Sequence, residues 1–106
     1  MAPADSAEES TFLGERLWPG VTLEGAQAEV ERVAQAADSL RRAGRPVSHL
    51  HSSLMPTDET LFSWFRAGSA AEVAEVGDQA GVRFDRIVFA LDLFPSRFQR
   101  RKEPIR

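Results

Sequence analysis

The chain has 106 residues, of which 42% are hydrophobic and 27% charged, and a net charge of −3. These values suit one globular domain with one core and exclude two ordinary domains, a disordered chain and a broadly basic nucleic-acid binder. The lack of cysteine excludes disulfides, thiolate metal sites and thiol catalysis.

Residues 1–10, MAPADSAEES, are small and acidic and read as a flexible arm. They lack the basic and apolar regions of a secretory signal, and no later run approaches membrane-spanning length. The expected compartment is the cytoplasm, with neither membrane nor nucleic acid as a partner. TFLGERLW (11–18) nearly alternates apolar and polar residues and stops at Pro19-Gly20, as a first strand does.

Thr22 caps a predicted helix over 23–43, in which Leu23, Ala26, Val30, Val33, Ala37 and Leu40 make one apolar stripe. Arg41 and Arg42 offset the dipole in its last turn, and Gly44 is its stop. Pro46 forbids continuation, and VSHLHSSL (47–54) alternates as a strand. Strict alternation puts Leu50 and Leu54 on one side and Val47, His49, His51 and Ser53 on the other.

MPTDE is a turn by composition, and TLFSWFRA (60–67) returns as the partner strand of a hairpin. Ser69 and Glu72 match a capping box for a short helix that buries Val73, Val76 and Ala80 and ends at Gly81. DRIVFALDL (85–93) is the last strand, with Ile87, Phe89, Leu91 and Leu93 on one face. The tail, 94–106, gathers Arg97, Arg100, Arg101, Lys102 and Arg106 around Phe94 and Phe98. It reads as a solvated extension, an anchor for an acidic partner or for nucleic acid, or a segment that docks on a neighbouring subunit.

The order strand, helix, strand, strand, helix, strand predicts a ferredoxin-like α+β domain over residues 11–93, a four-stranded antiparallel sheet with both helices on one face. The other face is left bare and apolar, and a surface of that kind finds a partner. By analogy with the fold, the expected partner is a second copy, the two sheets closing as a dimeric α/β barrel around a lumen.

The segments ERLWPGVT, GRPVSHLHSSLMPTDETLFSWFRAGSAAEV and AGVRFDRIVFAL resemble a family of small bacterial ferredoxin-like proteins, largely of unknown function, with an actinobacterial nickel-binding member. The likeness runs from about Phe12 to Leu93 and includes Glu15-Arg16-x-Trp18-Pro19-Gly20, His51-Ser52 and Phe84-Asp85-Arg86. It implies the same fold, with nickel or another divalent transition metal as a ligand. Where members often carry Cys and an acidic residue in and after the third strand, this chain has Ser63 and Arg66.

His49 and His51, the two histidines of the chain, would share a face with Cα atoms about 6 to 7 Å apart. Their imidazoles would suit nickel, copper or zinc, given a third ligand from Glu15, Asp92 or a second subunit. Glu15, in the motif leaving strand one, is the preferred third ligand. Without a metal, the pair lines a polar cavity or an interface. Trp18, Phe62 and Trp64 are the candidate lining of a ligand pocket, beside Phe65.

The leading expectation is a small homodimeric binding protein for a metal or small molecule. The alternative is a cofactor-independent isomerase, cyclase or oxygenase acting on a small apolar molecule in the lumen, with a histidine as acid or base. No Gly-rich phosphate loop is present.

Overall fold

The computed structural model describes residues 8–96; the rest of the acidic arm and the basic tail from residue 97 lie outside them. The elements are β1 (Ser10–Leu17), α1 (Leu23–Arg42), β2 (Val47–Met55), β3 (Thr60–Ala67), α2 (Ala70–Ala80) and β4 (Arg86–Ala90). The strands form one antiparallel sheet in the order β2-β3-β1-β4, the ferredoxin-like arrangement expected from the element order. Glu9, expected in the mobile arm, is instead ion-paired to Arg41 at 3.2 Å.

Both helices lie on one face. Val33, Ala36, Ala37 and Leu40 of α1 and Val73, Val76 and Ala80 of α2 meet Phe12, Val47, Phe65 and Ala67 of the sheet in one buried cluster. Thr22 caps α1 through its side-chain oxygen, which accepts from the Gly25 N–H at 2.9 Å. Leu23, expected in the stripe, is 75% exposed, while Glu29 is buried in it. The Glu29 carboxylate accepts from Arg16 Nε at 2.6 Å, and Arg32 stands 3.8 Å away.

The capping box of α2 does not form. The Ser69 side chain makes no cap bond to the backbone, and its hydroxyl donates instead to Glu72 Oε1 at 2.9 Å. Gly81 closes α2 with a left-handed φ of 74°, a conformation for which its missing Cβ suits it. At the tip of the β2–β3 hairpin, Glu59 adopts a φ of 50°. Its carbonyl and carboxylate accept from the Trp18 and Gly20 N–H groups at 2.7 and 3.0 Å, tying the hairpin to the exit of β1.

The last strand is shorter than expected. It ends at Ala90, so Leu91 and Leu93, expected to share a strand face with Ile87 and Phe89, lie beyond the sheet and are 74% and 88% exposed.

Candidate functional site

Strict alternation fails in β2. Met55, Leu54, Ser53, Ser52 and His51 pair in step with Thr60, Leu61, Phe62, Ser63 and Trp64, but His49 then pairs with Phe65 and Leu50 has no partner. Leu50 is a β-bulge residue, 49% exposed. The extra residue makes His49 and His51 behave as neighbours rather than as second neighbours, so they fall on opposite faces. The expectation that they share a face is overturned.

His49 turns toward the helices. Its ring meets the buried Phe65 edge-on at 5.5 Å, and its Nε2 lies 3.0 Å from Ser52 Oγ. Ser52 Oγ in turn lies 2.7 Å from Ser63 Oγ, in a buried residue. Burial holds the His49 pKa below its ordinary 6.5; the nearby His51 acts in the same sense and Asp38 of α1 opposes it.

His51 turns to the uncovered face and stacks on Trp64, opposite it on β3, at 6.2 Å between ring centroids. The register places Leu13, Glu15, Phe62, Trp64, Arg86 and Val88 on this face. Leu13, Phe62, Trp64 and Val88 are half-buried, and none is covered by a helix. Glu15 faces Arg86 across β1 and β4, the carboxylate accepting from the guanidinium at 3.4 Å.

Glu15 and His51 therefore share a face without converging. They stand two strands and two residues apart, about 12 Å between Cα atoms from sheet spacings alone. Asp92, the other acidic candidate, accepts from Thr11 Oγ1 at 2.6 Å. Among the described residues, no group of three or more His, Asp or Glu side chains is placed to hold a metal ion. The donor set expected for nickel, His49, His51 and Glu15, does not fit one copy of the chain.

Of the expected pocket residues, Phe62 and Trp64 are brought together and Trp18 is not. Trp18 lies past the end of β1, with the Arg16 guanidinium 4.3 Å over its ring and Gly25 of α1 close beside it. Sequence reasoning missed the Ser52–Ser63 pair. Counting outward from the turn, Met55 opposite Thr60, sets these two serines against each other.

No family model matches the chain, and no curated protein matches it. Among solved structures, the crystal structure of SCO4226 from Streptomyces coelicolor A3(2) is similar with a TM-score of 0.61, 20% identity, and coverage of 79% of this chain and 100% of that one. At that identity the likeness speaks for the fold, which this chain shares with a small bacterial protein. Among the described residues, no helix is long and apolar enough to cross a membrane.

Proposed function

We propose that the chain is a small homodimeric binding protein whose ligand lies between the uncovered sheet faces of two copies. One observation carries this reading: a sheet face bearing Leu13, Phe62, Trp64 and Val88 that neither helix covers. Full burial of a large apolar side chain stabilises by about 1.5–3 kcal/mol, so four half-buried ones leave part of that gain to be realised against a second copy. A lumen so lined suits a small molecule with an apolar or aromatic body. His51 and the Glu15–Arg86 pair are the polar groups that would orient it. A divalent transition metal such as nickel would need donors from both copies, His51 and Glu15 of each.

Light scattering on the wild type and on Phe62→Arg tests the assembly. A dimer for the wild type and a folded monomer for the variant are expected, and a wild-type monomer at micromolar concentration would overturn the proposal. Elemental analysis of protein purified without a histidine tag separates the ligand classes. Stoichiometric nickel, copper or zinc would replace the small molecule with a metal.

A further inference from the structure

The hydrogen-bonded chain on the helix side plays no part in the proposed binding face. It occupies a region where the sheet otherwise presents apolar groups, Val47, Leu54, Leu61 and Phe65. A buried Ser63 needs one partner, and Ser52 alone supplies it at 2.7 Å. The chain nevertheless continues to His49, 3.0 Å from Ser52 Oγ, within reach for a nucleophile and its base. Only the bulge at Leu50 turns His49 to this side, and bulges recur where a strand must re-aim a side chain.

Ser52 also lines a cleft of about 160 Å³, half open to solvent, between the first half of α1 and the β2–β3 hairpin, walled by Leu23, Ala26, Gln27, Val30, Leu54 and Leu61. At ~30 Å³ for a water-sized group, that space holds about five such groups, enough for a short aliphatic chain.

We propose that Ser52 is a nucleophile activated by His49, and that the cleft takes the acyl chain of a short carboxylic ester. Ser63 donates to Ser52 Oγ, which leaves the Ser52 hydroxyl to donate to His49 Nε2 in the neutral tautomer protonated at Nδ1. Ser52 Oγ then bonds to the ester carbonyl carbon while its proton passes to His49 Nε2. Collapse of the tetrahedral adduct breaks the bond to the alcohol, which leaves with that proton. Water repeats the sequence on the acyl-serine, giving its proton through His49 back to Ser52 and releasing the carboxylic acid. Burial keeps His49 neutral and able to accept, while Asp38 on α1 favours the imidazolium once it forms. General-base assistance of this kind contributes about 10² to 10⁴ in rate, so acylation rather than rapid turnover is the readout.

The test is mass spectrometry of the full chain after incubation with an alkyl fluorophosphonate or p-nitrophenyl butyrate, with peptide mapping of the adduct. A single adduct on Ser52 is expected, forming at least tenfold more slowly in His49→Gln and absent when the chain is unfolded in urea. An unlabelled wild type, an adduct spread over other serines, or equal labelling of His49→Gln would each overturn the proposal. The wild-type result needs no variant to fold. It is also independent of dimerisation, because the cleft lies on the opposite face of the sheet.

Discussion

At the scale of single residues, the buried Glu29 and the half-buried His49 set how the fold responds to change. Glu29 is 2% exposed and depends on Arg16. Removing one partner of a buried pair leaves an uncompensated charge at a cost of about 3–5 kcal/mol, whereas replacing both by apolar groups is often nearly neutral. Arg16→Met should therefore lower the urea midpoint far more than Arg16→Met combined with Glu29→Leu, measured by circular dichroism. His49 contributes through its protonation. Its pKa lies below 6.5 in the fold, so the unfolded chain takes up the proton first. The stabilisation is complete above pH 6.5 and declines as pH falls through the folded pKa. A thermal midpoint that drops between pH 7 and pH 5, with a smaller drop in His49→Gln, is the expected outcome of melts across that range.

At the scale of elements, close approach decides where substitution is tolerated. A Cβ on Gly77 of α2 would sit 2.6 Å from the Val82 carbonyl oxygen, whose own N–H donates to the Gly77 carbonyl at 2.8 Å. Alanine in place of glycine in a helix gains about 1 kcal/mol of propensity. Overpacking against backbone costs about 1–3 kcal/mol, and here the neighbour is a carbonyl fixed by the helix cap. Gly77→Ala should lower the thermal midpoint by several degrees, as calorimetry would show. The same element scale explains the bulge in β2. Hairpin pairing from the turn was legible by counting back through Leu54, Ser53 and Ser52 to His51. The slip at Leu50 was not, because Val47 must meet the core and Leu50 can be left outside it.

At the scale of the whole molecule, the uncovered sheet face is the dominant feature. If two copies close on it, the thermal midpoint should rise with protein concentration, because mass action favours the associated state. Scans over a hundredfold range of concentration would check this, and Phe62→Arg should abolish the dependence. The Leu91–Phe94 stretch, beyond the last strand with Leu91, Leu93 and Phe94 largely exposed, is a second place where an apolar surface faces outward.

The order and type of the six elements, the caps at Thr22 and Gly81 and most of the core stripe were determined by the sequence alone, through local periodicity and turn chemistry. The burial of Glu29 was not foreseen, although its place three residues after Ala26 and four before Val33 puts it on the stripe itself. Only the tertiary structure decided which side chains meet. A one-residue bulge reverses the face of every strand residue beyond it, and no local signal separates VSHLH with a bulge from VSHLH without one. His49 and His51 were therefore parted by packing of the hairpin against α1. That parting turned an expected metal pair into one ring stacked on Trp64 and another hydrogen-bonded to Ser52 beneath the helix.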